Sequence, residues 1–196
     1  MLYRLFPWTP GAAAEEPGGP LFNPRRQQGS GRHDQPGLYG ALYVTRRDVS
    51  AIAEWLAAFR GQVLTEQDLR RTDGRTLALV GFDDGRLTDL PDLDEPAELA
   101  RRRLRPSGVA TGRRPVTQRL AASIYDEGAA GFAWWSTLEA SWSNVTLFAE
   151  RALPLLTVTQ SPSRIEIDDQ LVRSAAGSVG VMLEQGLGRA RRPRPA

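Results

Sequence analysis

Gly131-Phe-Ala-Trp-Trp-Ser136 and Trp142-Ser-Asn144-Val-Thr-Leu-Phe148 are two apolar runs separated by a short loop. Short runs rich in aromatic and β-branched residues predict two strands, over Gly131–Trp135 and 145–148. Ser136 follows the first strand and Asn144 opens the second, so two polar side chains stand at strand ends. The tryptophans of this stretch have two interpretations, as core or lid residues or as part of a cofactor-binding site.

The rest of the chain alternates between strand and helix patterns. Further strands are predicted at 3–6, Ala41–Thr45, 76–82, 155–159 and 164–167. Helices are predicted from Asp48 or Ser50, as the capping residue, to about Arg60, and over 95–104, 116–127 and about 169–185, the last stopped by Gly186 and Gly188. Two segments rich in proline and glycine, 7–37 and 106–115, predict long loops. This mixed order predicts one α+β domain over 1–188, with a mixed or antiparallel central sheet and flanking helices, and a basic disordered tail over 189–196.

Composition excludes several classes of chemistry. The 196-residue chain has no Cys, a single His and 25 basic residues, all of which are Arg. Schiff-base and P-loop lysines, thiolate metal sites and multi-histidine metal centres are therefore impossible. The remaining candidates are carboxylates, Arg, Tyr, Ser or Thr, backbone amides and a borrowed cofactor, and no metal is expected. The sequence has neither a membrane-helix pattern nor a secretory signal, which favours the cytoplasm.

Glu54 has an unusual setting on the helix predicted from Asp48 or Ser50 to about Arg60. The residues Val49, Ile52, Trp55, Leu56 and Phe59 form the apolar stripe of that helix, and Glu54 lies nearly opposite. Its neighbours on that face are small and uncharged, which lets a ligand or another element approach closely. The alternative is an ordinary solvated surface glutamate.

Arg32 lies in a loop with glycines on both sides and a proline, Gly31-Arg-His-Asp-Gln-Pro-Gly37. This composition indicates a shaped loop rather than a charged surface run. Arg suits a pyrophosphate because its planar fork donates paired hydrogen bonds. A loop arginine in a local salt bridge is the alternative.

These residues, taken in order, resemble the RES family, which is named for an Arg, a Glu and a Ser. The resemblance spans about residues 3 to 150. The matching pieces in chain order are Tyr3-Arg4, Gly31-Arg32-His33-Asp34, Pro36-Gly37, Leu42-Tyr43, Glu54, Gly131, Ser136 and Asn144. Two positions depart from the family pattern, because His33 replaces an aromatic residue and Asp34 replaces a frequent Asn.

The resemblance implies the toxin of a bacterial toxin–antitoxin pair, with a fold similar to ADP-ribosyltransferases and NAD as its substrate. Glu54 would stabilise the ribosyl cation that forms as the nicotinamide N-glycosidic bond breaks. Arg32 would hold the pyrophosphate, Tyr43 would pack on the nicotinamide ring, and Ser136 would hydrogen-bond NAD. Asn144 would belong to the same site and order the Ser136 loop. The implied partner is a small helix-turn-helix antitoxin of the Xre type, through which alone nucleic acid would be bound.

Other functions remain open at this level. The acceptor of the ribosyl group could be water, which makes the protein an NAD glycohydrolase, or a protein side chain, which makes it an ADP-ribosyltransferase. The departures at His33 and Asp34 also fit a non-catalytic interaction protein whose site has decayed. The arginine clusters at 101–105, 113–114 and 189–194 fit either a nucleic-acid-binding module or a solvated surface and tail.

Overall fold

Six strands form one antiparallel sheet in the computed structural model, which describes residues 1–71, 73–88 and 90–184. The strands in chain order are β1 (Leu2–Trp8), β2 (Ala41–Thr45), β3 (Val63–Leu64), β4 (Thr76–Asp83), β5 (Gly131–Trp135), β6 (Ser143–Phe148), β7 (Thr157–Arg164) and β8 (Met182–Leu183). The sheet has the order β5-β6-β2-β1-β4-β7, and β3 pairs with β8 in a small parallel sheet. The predicted α+β class with an antiparallel central sheet is confirmed.

Helices flank this sheet on both sides. They are α1 (Asp48–Leu56), α2 (Pro96–Arg101), α3 (Pro106–Ala110), α4 (Arg114–Asp126), α5 (Ala149–Ala152) and α6 (Gln170–Val179). Strand alternation divides the core, because successive side chains point to opposite faces. Leu77 and Leu79 pack with α1 and α6, whereas Val80 and Phe82 pack on the other face with Leu2. A third cluster joins α4 to the aromatic residues of β5 and β6.

The long segment between β1 and β2 is irregular, as predicted, and its course is set by polar side chains. Arg4 donates from Nη1 to the carbonyl of Pro20 at 2.6 Å and from Nη2 to that of Phe22 at 3.1 Å. The Gln28 side-chain amide exchanges two hydrogen bonds with the backbone of Ala41, each of 2.8 Å. These bonds satisfy backbone groups that no strand partner reaches. They also position the following loop, which carries Arg32, against the sheet.

Several predicted boundaries are wrong near the C-terminal end. Helix α6 stops at Val179 rather than near 185, because Gly180 takes a left-handed conformation (φ 72°) and Met182 then pairs with Val63. In place of the strands predicted at 155–159 and 164–167 there is one strand, β7, which ends at Arg164 and leaves 165–167 outside any strand. It tolerates Pro162 because it lies at the sheet edge. Gly186, Gly188 and the 189–196 tail lie outside the described residues.

Two further predictions about helices need correction. The predicted 106–115 loop contains the short helix α3, which starts at Pro106, a favourable first helical position. Neither Asp48 nor Ser50 caps α1: Arg47 is the capping residue, and Ser50 lies buried inside the helix. The hydroxyl of Ser50 donates instead to Asn144 Oδ1 at 3.4 Å.

Candidate active site

A cavity of about 400 Å³ opens over the centre of the sheet. Its floor is one row of paired residues across four strands: Trp134 pairs with Asn144, Asn144 with Thr45, and Thr45 with Tyr3. Directly paired residues point their side chains to the same face, so the antiparallel register gathers this row under one opening. All four residues line the cavity.

Glu54 projects from α1 to the cavity and is anchored there by two side chains. Ser136 Oγ donates to Glu54 Oε1 at 2.8 Å, and Asn144 Nδ2 donates to the same oxygen at 2.7 Å. Hydrogen bonds from polar groups to a carboxylate are stronger than those between neutral groups. Glu54 is exposed, as a surface glutamate would be, but its carboxylate is bound by two side chains of the site. The family residues Glu54 and Ser136 are brought into contact across 82 positions of the chain.

Ser136 holds Glu54 from beneath the cavity surface. Its side chain is buried, with 2% exposure, and its Oγ accepts a hydrogen bond from the backbone N–H of Leu138 at 3.1 Å. The residues that line the cavity include Thr137 and Asn144, but Ser136 is not among them. The expected hydrogen bond from Ser136 to NAD stays a prediction, as does the ordering of its loop by Asn144.

Arg32 lies at the other side of the cavity on the loop that precedes β2. Its Nη1 donates to the carbonyl oxygens of Val109 at 3.2 Å and Thr111 at 2.8 Å, and its guanidinium carbon lies 5.1 Å from the Trp134 ring centre. No carboxylate of the described residues lies within 4.0 Å of this guanidinium, which excludes the local salt bridge there. Burial lowers the pKa of Arg32, the charge of Arg114 lowers it further, and Glu54 raises it.

Asp34 organises the loop around Arg32. Its Oδ2 accepts the backbone N–H groups of Gly29 at 2.9 Å and Gly31 at 2.7 Å, while its Oδ1 accepts the Tyr43 hydroxyl at 2.7 Å. A Cβ atom on Gly31 would meet Asp34 Oδ1 at 2.4 Å, so any larger residue there would displace this carboxylate from its bonds to the loop. Asp34 thus has a structural function in place of the family's frequent Asn.

His33 takes the position of an aromatic core residue. It is fully buried, and its ring makes edge contacts with Phe132 at 4.8 Å and Trp134 at 5.1 Å. Its Nδ1 lies 2.8 Å from Thr146 Oγ1, which also accepts the Trp134 indole N–H at 3.1 Å. Burial, helped by the charges of Arg32 and Arg114, lowers the pKa of His33 to about 3. The imidazole is therefore neutral at physiological pH.

Tyr43 presents its ring to the cavity while its hydroxyl is fixed in the loop. The hydroxyl accepts the backbone N–H of His33 at 2.9 Å and donates to Asp34. Burial and the bond to Asp34 raise the pKa of Tyr43, which keeps the phenol neutral. Tyr43 as a whole is 36% exposed and lines the cavity, which leaves an aromatic surface for a ligand.

Two arginines that line the cavity, Arg4 and Arg114, were not assigned a function from the sequence. Arg4 lines the cavity, but its guanidinium is bound to the carbonyls described above, and burial lowers its pKa to about 10. Arg114 also lines the cavity, although the sequence grouped it with a surface cluster. Its place depends on how α4 meets the Arg32 loop, a tertiary contact that no local pattern reports.

Within 1–71, 73–88 and 90–184, no three His, Asp or Glu side chains are grouped so as to hold a metal ion. In the same ranges no helix is long and apolar enough to cross a membrane.

Fold and cavity together define an α+β protein that sets one anchored carboxylate against arginines over an antiparallel sheet. A family model described as the RES domain matches residues 2–168, and the chain belongs to that family. The match extends beyond the expected span of about 3 to 150. No curated protein matches the chain.

A solved structure with a similar fold is that of the Mycobacterium tuberculosis MbcT–MbcA toxin–antitoxin complex. The TM-score is 0.60 at 16% sequence identity, and the alignment covers 92% of this chain and 88% of the other. At this identity the likeness shows a shared fold along nearly the whole of both chains.

Proposed function

We propose that this RES protein is the toxin of a toxin–antitoxin pair, and that it depletes NAD by cleaving the bond between nicotinamide and ribose. The observation that carries the proposal is Glu54, which faces a cavity lined by arginines and is held through one oxygen by Ser136 and Asn144. Family membership and the toxin–antitoxin complex that shares the fold support it.

The reaction needs only groups that this chain has. The bond between nicotinamide N1 and ribose C1′ breaks, and its electron pair neutralises the pyridinium nitrogen of the leaving group. Positive charge then develops on the ribose, where Glu54 stabilises it. Water attacks C1′ and releases its proton to solvent, which yields ADP-ribose.

The anchoring bonds explain why Glu54 suits this function. Both bonds end on Oε1, and within the described residues Oε2 accepts no hydrogen bond. One oxygen fixes the carboxylate and the other stays available to the ribose. A group that is oriented before the charge develops needs little reorganisation during the reaction, which is the main source of electrostatic catalysis.

Other residues of the cavity bind the remaining parts of NAD. Arg32 binds the pyrophosphate, and the exposed ring of Tyr43 packs on nicotinamide. Asn144 and Ser136 keep Glu54 in place, and Asn144 also lines the cavity. The protein acts in the cytoplasm on the cellular NAD pool, and a small helix-turn-helix antitoxin is its partner.

The rival interpretations find less support in the site. His33 and Asp34, the two departures from the family pattern, both have well-defined structural functions, so they give no sign of a decayed site. Arg101 and Arg102, from the cluster that suggested nucleic acid, form ion pairs with Glu98 and Glu127.

The test is to incubate the purified protein with NAD and to separate the products by chromatography. We expect nicotinamide and free ADP-ribose in equal amounts. Nicotinamide with ADP-ribose attached to protein would indicate a transferase instead. Absence of nicotinamide after hours at micromolar protein, with the fold verified by circular dichroism, would contradict the proposed enzyme.

A further inference from the structure

Arg114 is the first residue of α4 and lines the same cavity as Arg32. Its guanidinium makes no hydrogen bond or ion pair with any residue in the described ranges of the chain. Arg4, by contrast, lines the cavity with its guanidinium already bound to two carbonyls. Arg114 is thus a cavity cation with its donors available.

The start of α4 is bound to the loop that carries Arg32. Thr117 Oγ1 donates to the carbonyl of Arg32, and Gln118 Nε2 donates to the carbonyls of Gly29 at 3.1 Å and Gly31 at 3.0 Å. Residues three and four apart share one face of a helix. Arg114 therefore lies on the helix face that Thr117 and Gln118 press against the loop, next to Arg32.

Arg32 and Arg114 are two like charges held near each other without a carboxylate of the described residues in contact with either. After burial, the positive charge of Arg114 is one of the causes that lower the pKa of both Arg32 and His33. Arg114 and Arg32 therefore lie within electrostatic reach of each other. Among the described residues, no carboxylate lies within 4.0 Å of either guanidinium. The N-terminus of the 13-residue helix α4 adds partial positive charge at the same point. Repulsion of this kind is relieved when an anion binds between the cations.

We infer that Arg114 is a second phosphate-binding residue, which together with Arg32 grips the pyrophosphate group of a dinucleotide. The inference rests on the proposed function for the identity of the dinucleotide, whereas the pyrophosphate site itself depends only on the two arginines. Nicotinamide and its ribose then lie toward Glu54, at the other side of the cavity.

The experiment measures binding of inorganic pyrophosphate by calorimetry at low salt. The variants are Arg114→Gln, Arg114→Lys and the matched control Arg113→Gln, which makes the same charge change at an exposed neighbour that does not line the cavity. Arg114→Gln should raise the dissociation constant roughly tenfold to hundredfold, the scale of one charge-assisted hydrogen bond. Arg114→Lys should recover part of the loss, because it restores the charge without the fork. Arg113→Gln should bind like the wild type.

Three results would overturn the inference: no pyrophosphate binding by the wild type, equal affinity in Arg114→Gln, or an equal loss in Arg113→Gln. The last would indicate a general field effect. Circular dichroism of each variant checks the fold, and Arg114→Lys provides a second measurement should Arg114→Gln be unstable.

NAD cleavage by the same proteins separates this inference from the proposed function. Arg114-dependent pyrophosphate binding without nicotinamide release would refute the proposed reaction alone. Nicotinamide release with an unchanged KM for NAD in Arg114→Gln would refute the assignment of Arg114 alone.

Discussion

The cavity has two walls that are built in different ways. The carboxylate wall is Glu54, held by Asn144 from the cavity floor and by Ser136 from beneath the cavity surface. All three residues come from regular elements or their ends. The guanidinium wall consists of Arg32 and Arg114, which a loop and the start of α4 bring together through bonds to backbone carbonyls.

This difference matches the chemistry proposed for each wall. A carboxylate that must meet a developing charge gains from a rigid support, because small displacements reduce electrostatic stabilisation. A phosphate-binding site needs positive charge and paired hydrogen-bond donors. A loop whose backbone lies close to the ligand is sufficient for this. Substitutions in the carboxylate wall should therefore lower kcat, and those in the guanidinium wall should raise KM.

The largest effect is expected for Glu54→Gln. Turnover should fall on the order of a hundredfold or more, as when one preorganised electrostatic group is removed. The free energy of unfolding should change by less than about 1 kcal/mol, because Glu54 is exposed and outside the apolar stripe of α1. Nicotinamide release and chemical denaturation measure the two quantities. Glu16→Gln, at an exposed glutamate that does not line the cavity, is the control. Wild-type turnover in Glu54→Gln would refute the assignment.

Ser136→Ala should have the next largest effect, about a tenfold loss of kcat, since it removes one hydrogen bond that orients Glu54. The two substitutions should not be additive: in the Glu54→Gln background Ser136→Ala should cost little further activity. Steady-state kinetics of the four proteins of this cycle provide the test, with exposed Ser141→Ala as the control. Fully additive losses would show that Ser136 acts on the substrate directly rather than through Glu54.

Arg32→Lys tests the function proposed for the guanidinium wall. The charge is kept but the planar fork is lost, so KM for NAD should rise roughly tenfold while kcat changes less. Arg26→Lys, at an exposed position of the same segment, should be silent. Exposed arginines tolerate this exchange because their ion pairs are worth only about 0 to 1 kcal/mol. Unchanged kinetics in Arg32→Lys would show that Arg32 does not bind the substrate.

The last prediction concerns stability rather than activity, and the single histidine. His33 has a pKa near 3 in the folded protein and about 6.5 when unfolded. Protons therefore bind preferentially to the unfolded chain between these values, and stability is lost as the pH falls through this window. From pH 7.5 to pH 5 the loss due to His33 should be about 2 kcal/mol. His33→Phe should remove that part of the pH dependence, as measured by urea denaturation at both pH values. Parallel pH profiles would contradict the assignment.

The predictable parts of the molecule are those that local patterns encode. Ala41–Thr45 and Gly131–Trp135 were predicted with their observed bounds, because short apolar runs flanked by turn residues indicate strands. The end of α6 could not be predicted, since the distant pairing of Met182 with Val63 follows from tertiary structure. A polar edge strand with Pro162 likewise lacks the pattern of a strand.

The candidate site divides in the same manner. Glu54, Ser136 and Arg32 were predicted through an ordered family pattern, and the structure places Ser136 against Glu54 as neighbours. Arg114 could not be found in this way, because its position depends on Thr117 and Gln118 binding the Arg32 loop from more than 80 residues away. The buried function of His33 was also hidden, since a histidine in a loop has no periodic signal.

The most direct test of the account is a kinetic isotope effect at the bond that should break. NAD with deuterium at C1′ of the nicotinamide ribose is compared with unlabelled NAD in kcat/KM for nicotinamide release. If a ribosyl cation forms against Glu54, C1′ flattens in the transition state and the labelled substrate should react more slowly. Equal kcat/KM for both substrates would contradict a ribosyl cation in the transition state. AMP in place of nicotinamide as the product would contradict cleavage at the nicotinamide ribose and with it the central claim.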